Sequence, residues 1–328
     1  MTAHLTTDCK FCSVVSKENG EDPIGSATHT DSWLVMELPL PWTEERFHSD
    51  PLLKPIHDLF HDLFAKGIQV SPMAIAPDRD YSIPERSHVF YYRRPSQRFS
   101  QFERQTFVVP TTQITALAKA LTYEPENLQQ FLTYRQPADT IRDMMICTHG
   151  NIDIACARFG QPIYKKLRDN YAASSNGQLR VWRCSHFGGH QFAPTLVDFP
   201  TGQVWGHLEE DILETLICRN QSVSELRRFY RGWSGVDRYT QMVEREIWMQ
   251  RGWEWLQYQR SGQMVDQDPN NTTTDWARVR LEFVAPDGGT GTYEATVETC
   301  GSIMTAYNSG EEPTSTKQYR ISRLVQVA

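Results

Sequence analysis

The chain of 328 residues is long enough to need more than one hydrophobic core, and 39% apolar with 11% aromatic residues excludes a disordered chain. Its 40 acidic and 33 basic side chains leave a formal charge of −7 and a pI near 5.8, which argues against a general binder of nucleic acid or anionic membrane. No apolar run approaches the ~18 residues that span a bilayer, and Met1-Thr2-Ala3-His4-Leu5 lacks a signal-peptide pattern, so a soluble cytoplasmic protein with no membrane insertion is expected.

In chain order, a buried strand is expected over 32–38, closed by Pro39-Leu40-Pro41-Trp42. Leu52, Ile56, Leu59, Phe60 and Leu63 then recur at helical spacing up to Gly67. Short strands at 68–75, 89–92 and 107–109 and a helix at 114–121 close the block. Beyond the polar segment around Gln136-Pro137-Ala138 the same order returns. A strand at 141–147, a helix at 154–171 and a strand at 179–184 lead to a hairpin of 195–199 with 203–207 and a helix at 211–218. Strand, helix, strand, hairpin, helix is the element order of a thioredoxin-like domain, and the chain is read as holding it twice. From Ser222 the texture changes to a long helix at 236–259, crowded at its end by Trp248, Trp253 and Trp255. A polar linker with Asp268-Pro269-Asn270-Asn271 then leads to two alternating strands, 276–284 and 292–299. The division expected is an α/β domain over 1–138, a thioredoxin-like domain over 139–222 and an α+β extension over 223–328. In the extension no chemistry is expected.

Seven unevenly spaced cysteines are too few for a disulfide framework, so their chemistry should be that of reduced thiols. Cys147 and Cys156 enclose eight residues and fall in the loop and first turn after a strand, where helix N–H groups and the positive end of the dipole favour thiolates and sulfides. Cys184-Ser185-His186-Phe187-Gly188-Gly189-His190 follows. Its paired glycines make a poor helix and a good tight loop, which argues against a helical HExxH zinc arrangement. They would let the backbone come close to a bulky object while both imidazoles turn toward it. Two thiolates plus two imidazoles complete either a tetrahedral zinc site or a [2Fe–2S] cluster of mixed ligation. The wide interval between the cysteines is less natural for zinc, whose ligands usually come in close pairs.

Together, Cys147-Thr148-His149-Gly150, Cys156 and the run Cys184-Ser185-His186-Phe187-Gly188-Gly189-His190-Gln191-Phe192-Ala193 resemble the sucrase/ferredoxin-like proteins. This is a thioredoxin-like ferredoxin family that includes members with bis-histidinyl clusters and carries the pattern C-x8-C followed by H-x-G-G-H. Cys12-Ser13, Gly25-Ser26-Ala27, Trp33, Gly202, Trp205-Gly206 and Tyr230-Arg231-Gly232 extend the likeness over roughly residues 9 to 235. The resemblance implies Cys147, Cys156, His186 and His190 as ligands of a [2Fe–2S] cluster, Gly188 and Gly189 as part of its binding loop, and Cys184 as a neighbour only. Ile152-Asp153 and Pro194-Thr195 stand where many relatives carry Arg-Asp and Gly-Asn, so the loop shape and partner surface differ more than the ligand set.

Cys9-Lys10-Phe11-Cys12 has dithiol spacing, but there is no room upstream for the strand that positions such a motif. His149 is read as a loop residue, and Cys218 and Cys300 as buried packing residues. With no nucleophile–base pair and no G-x-G-x-x-G loop, an electron carrier is expected ahead of a substrate-converting enzyme. Its partners would be an unidentified reductase and acceptor, with no nucleic acid involved. The alternatives are a zinc-stabilised binding module and a thiol–disulfide oxidoreductase using Cys9 and Cys12. The carboxyl-terminal extension is expected to be dispensable for the metal site.

Overall fold

The computed structural model describes residues 10–138, 140–270 and 274–327, so Cys9 and the opening residues read above lie outside the described residues. A short helix, Cys12–Glu18 (α1), precedes strand Ser32–Glu37 (β1), which is buried along its whole length as a strand covered on both faces should be. Helices Glu44–Ser49 (α2) and Leu53–Ala65 (α3) lead to strands Ser71–Ile75 (β2), Arg86–Arg93 (β3) and Glu103–Pro110 (β4), then helix Ile114–Thr122 (α4). β1 runs parallel to β2 and antiparallel to β3, and β3 pairs antiparallel with β4, giving the order β4-β3-β1-β2. The apolar stripe of α3 is Leu53, Ile56, Leu59, Phe60 and Leu63, and it packs with Leu34, Met36, Val89 and Phe107 in one core.

The second block repeats the plan. Strand Arg142–Cys147 (β5), helix Ile154–Lys166 (α5), strands Leu179–Cys184 (β6), Leu196–Phe199 (β7) and Gln203–Trp205 (β8), and helix Leu213–Cys218 (α6) give the order β6-β5-β7-β8. β5 is again parallel to its crossover partner and antiparallel to the hairpin. Both blocks thus carry the thioredoxin-like order. They meet edge to edge: Ile75 pairs with Cys184, Ala76 N–H donates to the Arg183 carbonyl at 2.9 Å, and Ser185 N–H donates to the Ala74 carbonyl at 2.8 Å. Joining β2 to β6 pairs two edges that would otherwise be open, and with strand Tyr230–Trp233 (β9) beside β8 it makes one sheet of nine strands. Among the described residues no helix is long and apolar enough to cross a membrane.

The extension departs from the sequence reading. The long helix stops early, as Arg238–Arg251 (α7), because Gly252 at φ 74° ends it. A single tight turn, Trp253–Gln257, follows, and then a strand, Gln259–Gln267 (β10), where part of the polar linker was expected. β10 joins Trp276–Val284 (β11), Thr290–Thr305 (β12) and Thr314–Gln326 (β13) in a second, antiparallel sheet. β13 has no fully buried position, so it shows none of the apolar alternation that reveals β11. The helix expected over 154–171 also ends sooner, at Lys166, passing into a wider π-type turn after the internal Pro162 has removed one N–H from the ladder. Cys218 and Cys300 are exposed, contrary to the packing role expected of them: Cys218 is the last residue of α6, and Cys300 lies at a register shift of β12.

A buried ion pair ties the extension to the large sheet. Glu244 of α7 accepts from Arg260 Nη1 (3.1 Å), Trp255 Nε1 (3.1 Å) and the Tyr230 hydroxyl (3.0 Å), and both Glu244 and Arg260 are almost wholly buried. Arg260 also stacks on Trp233 and exchanges backbone hydrogen bonds with Phe99. Replacing Arg260 by Met would strand the carboxylate without its cation, a change that costs about 3–5 kcal/mol. Urea unfolding of Arg260→Met at neutral pH should show a loss of that order. Burial pushes the Glu244 carboxyl up, with Arg260 opposing it. The protonated form therefore suits the folded state, and the loss should shrink as pH falls. A loss below about 1 kcal/mol would contradict this role for the pair. Thiol labelling of the native chain should modify Cys218 and Cys300 well before Cys184; early labelling of Cys184 would refute the burial pattern.

Candidate metal centre

Cys147 is the last residue of β5 and Cys156 lies in the first turn of α5. Asp153 starts that helix by accepting the Ala155 N–H at 2.8 Å. α5 crosses so close above the strand end that a Cβ on Gly160 would collide with the Cys147 carbonyl oxygen. Only glycine permits this approach, which brings the two sulfurs together with both cysteines at 0% exposure. His186, just beyond β6, places Nδ1 3.9 Å from Cys156 Sγ, and the donor atoms of Cys147, Cys156 and His186 all lie within 4.8 Å of one another. The His190 ring sits 5.1 Å from that of His186, and its Nδ1 is buried without a hydrogen-bond partner. His190 is grouped instead with Cys12 and Asp153, again within 4.8 Å. Three of the four expected ligands are therefore gathered, and the fourth stands beside them.

The two thiols share their charge unequally. The hydrogen bond from Cys156 outweighs burial, with help from His186 and the His149 backbone N–H, and holds Cys147 below the ordinary thiol range. That same bond and burial push Cys156 up. Cys184 is the register partner of Cys147 across β5 and β6, but it stands outside the ligand group, and burial pushes its thiol well up.

The loop 186–190 turns through Gly188 and Gly189, both at positive φ. The bulky object that Gly189 admits is the Arg231 guanidinium, with which a Cβ would collide. Arg231 donates to the carbonyls of Gly188 (2.9 Å) and Ser26 (2.6 Å) and to Ser26 Oγ (3.0 Å). The loop 148–153 is fixed from the first block, since the Trp42 carbonyl accepts from Asn151 Nδ2 (3.0 Å) and lies 2.8 Å from His149 Nε2. The His149 ring thus anchors the loop, while its backbone N–H also donates to Cys147.

The extension also reaches the centre. At the β12–β13 turn, Ser309 donates to both Asp153 oxygens, from N at 2.8 Å and from Oγ at 2.7 Å, while Ser309 Oγ accepts the Cys12 N–H at 3.2 Å. Burial raises the Asp153 carboxyl, but the bonds from Ser309 and Ala155 win and hold it below its usual range. Burial pushes the Cys12 thiol up to about 11, against the Ser309 hydrogen bond, the reverse of what a nucleophilic thiol needs. Sequence reasoning assigns no role to Asp153, Arg231 or Ser309. An Asp ahead of a helix is a capping signal and could have marked the first. Ser309 carries no local signal, because its contact depends on how the hairpin folds back.

The donor set suits a metal group: two buried sulfurs, one of them held below the ordinary thiol range, with a neighbouring imidazole and an unpartnered ring nitrogen. No curated protein matches the chain. Among solved structures, a thioredoxin-like [2Fe–2S] ferredoxin from Aquifex aeolicus is similar at 11% identity over 27% of this chain and 90% of its own, with a TM-score of 0.23. The sequence model of the sucrase/ferredoxin-like proteins matches residues 23–232, spanning the cysteine pair, the H-x-G-G-H loop and Arg231. With well over half of its length so matched, the chain belongs to the sucrase/ferredoxin-like family.

Proposed function

We propose that the protein is a one-electron carrier in which Cys147, Cys156, His186 and His190 hold a [2Fe–2S] cluster. The observation that supports this most is the buried His190 Nδ1, left without a partner next to His186, whose own ring is grouped with the two buried thiols of Cys147 and Cys156. A buried polar atom of that kind is costly unless something binds it. When bound, such a cluster takes up and releases one electron. Around it, Cys147 and Cys156 would exclude water from the inner side, and the half-buried His186 and His190 would form the side nearer the surface. Ile152 and Ile154, 55% and 57% exposed, lie between the two cysteines and offer apolar ground on which a reductase or an acceptor would dock. Zinc is the competing occupant, since two Cys and two His also satisfy a tetrahedral ion.

Anaerobic purification with a metal and acid-labile sulfide count decides between them. The expected result is a coloured protein with two iron and two sulfide per chain, and stoichiometric zinc without sulfide would overturn the reading. Cys147→Ala and Cys156→Ala should lose colour and sulfide, whereas Cys184→Ala should keep both. A colourless Cys184→Ala protein beside a coloured Cys156→Ala protein would reverse the ligand assignment. Because neutral imidazoles stand in for two anionic thiolates, adding an electron should be easier than in an all-cysteine plant-type ferredoxin at about −400 mV. Voltammetry of the native protein should place the potential above that value. A potential at or below it would argue for a thiolate in place of a histidine.

A further inference from the structure

Several of the buried or largely buried guanidinium groups in this fold are matched by carboxylates. Arg260 pairs with Glu244, Arg245 with Asp22 and Arg180 with Asp143. Arg231 is 1% exposed, yet among the described residues no carboxylate lies within ion-pair distance of it. Its hydrogen bonds go to two carbonyls and a hydroxyl, which solvate the group without balancing its charge. A cation left so in a protein interior is costly unless a negative charge lies close by. Burial lowers the Arg231 pKa to about 10, and the charges that oppose this are those of Cys156 and Cys147. The residue therefore remains a cation at neutral pH. It lies directly against the His186–His190 loop, filling the space that Gly189 leaves open.

We propose that Arg231 is a positioning residue of the metal centre that also supplies its counter-charge: its guanidinium holds the H-x-G-G-H loop in place and offsets the negative charge of the two thiolates. The inference rests on the cluster reading above. An added electron makes the centre more negative, so a fixed cation beside it favours the reduced state. Lysine would keep that charge without the planar fork, and glutamine would keep hydrogen-bonding capacity without the charge. Ser26 provides a way to cancel the charge without touching Arg231, because Ser26→Asp would set a carboxylate where Oγ now accepts from Nε.

The test is the reduction potential of the full-length protein as wild type, Arg231→Gln, Arg231→Lys and Ser26→Asp, with iron and sulfide counted in each. Arg231→Gln and Ser26→Asp should both shift the reduction equilibrium toward the oxidised form about tenfold, which is ~59 mV for a one-electron couple. Arg231→Lys should stay near wild type in potential, even if it loads less cluster. A merely structural Arg231 would lower occupancy in the Gln and Lys variants alike and leave the potential of the loaded fraction unchanged. Cluster-bearing Ser26→Asp with an unshifted potential would sink the charge role, even if Arg231→Gln failed to fold. A wild-type chain without iron and sulfide would instead remove the cluster reading, and this inference with it.

Discussion

Cys147 and Cys156 set two sulfurs side by side where neither meets solvent, and a thiolate in such a place must be stabilised by what surrounds it. Four features meet that need. The Cys156 thiol bonds to its neighbour, the His149 N–H points inward, α5 begins at the pair with the positive end of its dipole, and Arg231 lies buried behind the histidine loop. Each depends on backbone placement more than on the cysteines themselves. Gly160 lets the helix approach the strand end, Asp153 fixes where the helix starts, and Gly189 admits the guanidinium. Take away the close crossing of α5 over β5 and the two sulfurs would no longer lie together.

The two blocks carry the same strand order, but the centre does not belong to the second alone. Trp42 from the first block holds the loop after Cys147, Thr28 Oγ1 bonds to the Phe187 carbonyl at 3.1 Å, and Ser26 binds Arg231. Ser309 comes from the far end of the chain to fix Asp153 and Cys12. The β2–β6 junction explains this convergence. It sets the edge of one block against the strand that leads into His186, so segments from the amino-terminal half fall naturally over the second block's loops. The extension adds α7 and its buried Glu244–Arg260 pair to the same framework. A chain ended near Gly235 would remove Met242, Val243, Ile247 and Trp248 from the packing core, uncover Trp205 and Tyr230 on which Trp248 packs, and lose Ser309, so the dispensability expected of this region has no support in the fold.

What the sequence revealed follows its physical signals. A strand buried on both faces, as at 32–37, is legible as an unbroken apolar run, and a helix with a clear apolar stripe, such as α3, as a helical period. The cysteine and histidine spacing was readable because ligands must converge from a few chain positions. β13 and Ser309 were not, since one has no buried row and the other acts only through a distant contact. The role of Gly189 was half readable: a close approach was implied, but its object, Arg231, lies 42 residues further along and is identified only by the fold.

The central claim is that both histidines join the two cysteines at one cluster, and pulsed electron paramagnetic resonance of the reduced full-length protein carrying nitrogen-15-labelled histidine tests it most directly. Two distinct, strongly coupled histidine nitrogens are predicted. A reduced, iron- and sulfide-containing protein whose signal couples to no histidine nitrogen would contradict the account.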